Sequence, residues 1–90
     1  MNATKFSVSP NLVIRKFDSK VLNKNTGFLF ELNKEGILIL EKLGTPQTIL
    51  ELCEELSKEF KIKEPEKISM QKSIEKFCNY AVDEKLLVKM

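Results

Sequence analysis

The spacing of apolar residues changes at about residue 33. Before it, short β-prone runs alternate with turn residues; after it, apolar positions recur every three or four residues. Leu12-Val13-Ile14, followed by Arg15, Lys16 and Phe17, reads as a first strand with imperfect alternation. Asp18-Ser19-Lys20 is turn chemistry, and Val21-Leu22-Asn23 resumes the strand character. Asn25-Thr26-Gly27 forms a second turn, in which Gly27 suits a positive φ. Phe28-Leu29-Phe30-Glu31-Leu32 is the strongest strand, with Phe28, Phe30 and Leu32 on one face and Leu29 and Glu31 on the other. Turns this short predict an antiparallel meander with its third strand at one edge.

Beyond Leu32 the helical period takes over. Asn33 is the expected N-cap of a short helix that buries Ile37, Leu38, Leu40 and Leu43, and Gly44 stops it with Pro46 following. Thr48 and Glu51 have capping-box spacing. The second helix then carries Ile49, Leu52, Cys53, Leu56 and Phe60 as its apolar stripe, with Glu51, Glu54, Glu55, Lys58 and Glu59 outside. Residues 61–66 form a charged connector, and Pro65 is expected at the first position of a third helix. That helix buries Ile74, Phe77, Cys78, Ala81 and Val82, and Leu86-Leu87-Val88 is expected to pack back on the core. No internal repeat or low-complexity segment is present. The predicted order is βββααα, one layered α+β domain over residues 1–90.

The third helix is asymmetric. With Ile74 at zero and about 100° per residue, Met70 falls at about −40°, Ser73 at about −100° and Tyr80 at about −120°. One shoulder thus carries apolar or small side chains beyond the core arc, whereas the other holds Gln71, Glu75 and Asn79. A widened apolar shoulder asks for a cover. A ring lying on the core with a wet hydroxyl explains Tyr80 equally well.

Composition then removes chemistry. The chain has no His, two Cys and three isolated Gly. This excludes His-based nucleophile systems and imidazole metal ligands, and leaves no Gly-rich phosphate loop. Cys53 and Cys78 cannot close a four-ligand zinc site by themselves, and both sit in predicted apolar stripes as small hydrophobes. No catalytic residue, cofactor or metal is expected; a module that binds something remains. No apolar run approaches the roughly 20 residues that span a bilayer, and the start shows no export signal, so the expected address is the cytoplasm.

With these motifs in place, the sequence resembles the PqqD-like family, from about Pro10 to Leu87. The resemblance rests on Thr26-Gly27-Phe28-Leu29-Phe30-Glu31-Leu32-Asn33-Lys34-Glu35-Gly36, similar to the family's turn, third strand and helix entry. Leu43-Gly44-Thr45-Pro46-Gln47-Thr48-Ile49-Leu50-Glu51-Leu52 is similar to its second-helix start, and Leu86-Leu87 to its usual ending. Lys85 stands where the family tends to have Gly, a departure that bears on the cap of the last helix.

The resemblance implies a winged helix-turn-helix-like fold, a three-stranded antiparallel sheet followed by three helices, used to capture the leader segment of a ribosomally made precursor peptide. It implies strand addition to the third strand and packing against the third helix, with a separate modifying enzyme, such as a radical S-adenosylmethionine enzyme or a leader peptidase, as second partner. The physics is consistent, because an edge strand offers unpaired backbone groups that read no sequence, and adjacent side chains must then supply specificity. The candidate peptide-binding residues are Phe28, Leu29, Phe30 and Glu31 on the strand and Met70, Ser73, Phe77 and Tyr80 on the helix. Lys72 and Lys76 are candidates to pair with acidic leader residues at the rim, although a lysine on a solvated face needs no function.

Two other readings stay open on the sequence. One is a winged-helix DNA-binding protein, against which stand a single Arg, Arg15, and a second helix with four Glu against Lys58. Charge offers it little: residues 1–33 sum to +3 (five basic, two acidic), 34–61 to −2 (four and six) and 62–90 to +1 (six and five). The other is a dimerisation module, in which the exposed strand pairs with a second copy to form a homodimer. Neither nucleic acid nor membrane is an expected partner.

Overall fold

The computed structural model describes residues 4–90. Its elements run β1 (Lys5–Val8), β2 (Leu12–Arg15), β3 (Lys20–Asn23), β4 (Leu29–Glu31), α1 (Lys34–Lys42), β5 (Gln47–Thr48), α2 (Ile49–Phe60), α3 (Glu66–Asp83) and β6 (Leu87–Lys89). The α+β class and the three helices agree with the sequence reading. The meander is present as the antiparallel sheet β2-β3-β4, with β4 at an edge.

A second three-stranded sheet, β5-β1-β6, corrects the expectation of one sheet followed by helices. Phe6, 5% exposed, anchors β1 in the core, and β1 pairs antiparallel with both Gln47–Thr48 and Leu87–Lys89. The segment Leu86-Leu87-Val88 therefore does return to the core, and it does so as a strand. Three further boundaries move. β2 ends at Arg15, leaving Lys16 and Phe17 in the turn with Phe17 86% exposed. Pro65 is the N-cap of α3 and not its first residue. Phe60, assigned to the buried stripe of α2, is exposed at the helix end.

The helix starts follow their sequence signals. The Asn33 side chain accepts a hydrogen bond from the Gly36 amide at 2.8 Å. Thr48 Oγ1 accepts from the Glu51 amide at 3.1 Å while Glu51 accepts from the Thr48 amide at 2.8 Å, a closed capping box. At the far end of α3, the Lys85 amide donates to the Val82 carbonyl and the Leu86 amide to the Ala81 carbonyl, with Lys85 at φ 63°. This is a Schellman turn, a position that glycine usually fills. The turn aims the chain into β6. Leu40, Leu43, Leu52, Leu86, Leu87, Val21, Cys53 and Cys78 are almost completely buried and join the helices to both sheets.

Candidate peptide-binding site

Local chemistry builds the hairpin that presents β4. Asn23 is buried, and its side-chain oxygen accepts from the amides of Asn25 at 3.0 Å and Thr26 at 3.4 Å. Gly27, at φ 75°, donates to the Asn23 carbonyl, and Thr26 Oγ1 accepts from the Phe28 amide. These bonds tighten the turn so that Val21 faces Phe30 and Leu22 faces Leu29.

The ladder determines which backbone groups of β4 are free. The Asn23 amide donates to the Phe28 carbonyl and the Leu32 amide to the Ser19 carbonyl, both at 2.9 Å. Antiparallel pairs alternate, so the Phe28 carbonyl, both backbone groups of Phe30 and the Leu32 amide face β3 and the turn before it. Leu29 and Glu31 direct theirs away from the sheet. Both residues are exposed, Leu29 at 50%, and no other strand among the described residues pairs with that side of β4. The side chains follow the same alternation. Phe30 and Leu32 pack on the core, Phe28 lies against Phe30 with ring centroids 5.6 Å apart, and Leu29 and Glu31 face outward.

Beyond the end of β4 the surface becomes a cleft of about 570 Å³ between α1, the end of α2 and the middle of α3. Met70, Ser73 and Phe77 form its α3 wall, and Gly36 and Ile39 its α1 wall. A Cβ at Gly36 would lie 3.2 Å from the Phe77 ring and 3.3 Å from Leu32 Cβ, so this glycine lets the end of β4, the start of α1 and the α3 aromatic converge. Tyr80 stands outside the cleft, 45% exposed, with its ring centroid 6.4 Å from that of Phe77.

Tyr80 apart, the candidate residues thus fall into three groups. Met70, Ser73 and Phe77 share the cleft; Leu29 and Glu31 own the free backbone edge, with Phe28 and Phe30 behind it. Lys72 and Lys76 are exposed on α3, line no part of the cleft and enter no ion pair among the described residues. The sequence reading did not name Gly36, Ile39, Phe60 or Ile62 as lining residues. A glycine inside a helical pattern was the available signal for Gly36, since it marks a close approach.

Ion pairs brace the helices around the cleft. Lys42 of α1 reaches Glu59 at 2.7 Å and Glu55 at 3.1 Å on α2, and Lys67 of α3 pairs with Glu54. The bond to Glu59, then that to Glu55, raises the Lys42 pKa; the bond to Glu54 raises that of Lys67, and Lys67 in turn lowers Glu54. The backbone amide of Thr48 lowers the Glu51 pKa. Burial pushes the Cys78 thiol up to about 11, which suits an inert core thiol. The α2 carboxylates that would repel a nucleic acid are in part consumed within the fold, and Arg15 is held by Asp18 at 2.7 Å. No cluster of His, Cys, Asp or Glu suited to a metal occurs among the described residues, and no helix of the described residues is long and apolar enough to cross a membrane.

A family model described as coenzyme PQQ synthesis protein D (PqqD) matches residues 20–87. Among solved structures, one described as lasso peptide synthetase B1 complexed with the leader peptide superimposes with a TM-score of 0.71, covering 92% of this chain and 96% of that one at 15% identity. No curated protein matches the sequence. The likeness in three dimensions extends the α+β, winged helix-turn-helix-like architecture over nearly the whole chain, more than the family match spans.

Proposed function

The chain belongs to the PqqD family, and on that premise we propose that it is a non-catalytic protein that binds the leader segment of a precursor peptide and presents it to a separate modifying enzyme. The observation that carries this reading is the vacant edge at Leu29 and Glu31, in a strand that is followed directly by Asn33 and Gly36 of the cleft lining. A leader running antiparallel to β4 gains up to four backbone hydrogen bonds there, two at each residue. At about 0.5–1.5 kcal/mol each, these amount to roughly 2–6 kcal/mol. Association costs an estimated 4–15 kcal/mol, so the edge alone does not hold a peptide. The remainder comes from side chains, for which Phe28, Phe30, Tyr80 and the cleft walls at Met70, Ser73 and Phe77 are the available surface.

The matched lasso peptide synthetase structure, described as a complex with a leader peptide, supports the same use of this fold. The modifying enzyme would gain by effective concentration, since a captured leader tethers the rest of the precursor near it. Calorimetric titration of the protein with synthetic leaders of short peptides encoded beside its gene tests the proposal. One leader is expected to bind with 1:1 stoichiometry, and mass spectrometry is expected to find it chemically unchanged. A leader altered by this protein alone, or uniform absence of binding, contradicts it.

A further inference from the structure

The outer face of the β2-β3-β4 sheet carries two rows of side chains that end at the vacant edge. Register places Val13 beside Leu22 and Leu22 beside Leu29, an apolar row. The neighbouring row is Arg15, Lys20 and Glu31. Arg15 is engaged by Asp18 and lies over the Phe17 ring, whereas neither Lys20 nor Glu31 enters an ion pair among the described residues. The last member of each row, Leu29 or Glu31, is also one of the two residues whose backbone groups point off the sheet.

An added strand therefore meets the rows in a defined order. The residues it pairs with Glu31 and Leu29 place their side chains on the outer face, and the residue between them faces inward beside Phe30. Antiparallel addition matches the rest of the sheet and is the slightly more stable ladder. In that direction the residue opposite Glu31 comes first in the peptide, and the residue opposite Leu29 follows two positions later. A cation opposite Glu31 is favoured and a carboxylate is opposed, while an aliphatic side chain opposite Leu29 continues the apolar row.

We infer that the β4 edge reads, in the bound peptide, a basic residue followed two positions later by an aliphatic one, with an apolar residue between them, and that Glu31 is the residue setting the charge preference. This rests on the strand-addition reading above and goes beyond it in naming the register and the chemistry of the paired segment. The cross-strand preferences are modest, each about 1.4- to 5-fold in affinity. They select among peptides that the backbone edge and the cleft already hold.

The test is a selection of randomised dodecamer peptides on the immobilised full chain and, in parallel, on Glu31→Lys. Selected wild-type binders are expected to carry Lys or Arg two positions before Leu, Ile or Val. Exchanging that Lys for Glu is expected to weaken binding by about 2- to 25-fold at low salt. Binders selected on Glu31→Lys are expected to carry an acidic residue there. Amide hydrogen exchange of Leu29 and Glu31 with the same peptides separates the two levels of the account. Protection of both amides with no charge preference, or with none that inverts in Glu31→Lys, overturns the inference and leaves strand addition standing. The opposite order, aliphatic before basic, overturns the antiparallel register. Peptides that bind without protecting these amides overturn strand addition and the inference together.

Discussion

The molecule contains two three-stranded sheets of opposite character. In β5-β1-β6 the outer strands come from the middle and the end of the chain and clamp the N-terminal strand between them. The ladder bonds from Ser9 to Leu86 and from Met90 to Lys5 turn Leu87 and Lys89 toward the free side of β6, yet Leu87 is only 2% exposed. The other edge, β5, is two residues long and runs straight into α2. In β2-β3-β4, by contrast, every link is a local hairpin, and the outward groups of β4 belong to two exposed residues. At the opposite edge, the Lys24 amide bonds to the Asn11 carbonyl, which leaves the outward groups of β2 to Leu12 and Ile14, half-buried core-side residues. The difference teaches a division of labour: the sheet with distant partners closes the fold, and the local sheet leaves one margin vacant.

The largest expected contrast sets Leu87→Ala against Leu29→Ala. Truncating the buried leucine is expected to cost about 2–5 kcal/mol in urea unfolding. Truncating the exposed one is expected to stay within about 0.5 kcal/mol while weakening leader binding. Equal losses of stability would erase the distinction between the sheets. Leu29→Pro sharpens it further, because it removes an amide that points off the sheet and leaves the β3 ladder intact. Titration is expected to find leader affinity lowered about tenfold, the loss of one hydrogen bond near the upper end of the usual range.

Smaller effects probe the closing sheet. Thr48 ends β5 and caps α2, so Thr48→Ala is expected to cost about 1 kcal/mol in chemical denaturation without changing leader affinity. Lys85 holds the left-handed turn into β6, and Lys85→Gly is expected to stabilise the protein by about 1 kcal/mol, read as a higher denaturation midpoint. Cys78, buried in α3, gives a pH signature. Its folded thiol keeps its proton to about 11, above the ordinary value of 9.0, so its contribution is complete below pH 9 and is lost as pH rises toward 11. The melting temperature is expected to fall in that window, and less steeply in Cys78→Ala.

The two sheets also explain what the sequence made legible. Asn25-Thr26-Gly27, Asn33 and the Thr48–Glu51 box act over two or three residues, and the hairpin and both helix starts lie where those signals put them. β1 gave no such signal: Lys5–Val8 has one deeply buried residue, Phe6, and partners far along the chain. The cleft was half legible for the same reason. Helical phase put Met70, Ser73 and Tyr80 on one shoulder of α3 and Phe77 in its core stripe; Met70, Ser73 and Phe77 line the cleft and Tyr80 does not, and the opposing wall depends on how α1 and α2 dock. Phe60 fits the stripe of α2 by spacing, and only its place in the last turn, where the packing ends, turns it toward solvent. Lys85, marked in the sequence as a departure from glycine, stands at the positive φ that glycine would relieve.

The most direct test is amide hydrogen exchange across both sheets, with and without a bound leader. The account predicts new protection at the Leu29 and Glu31 amides, with those of Leu12, Ile14 and Lys89 unchanged. Protection that arises along β2 or β6 while Leu29 and Glu31 continue to exchange freely would contradict it.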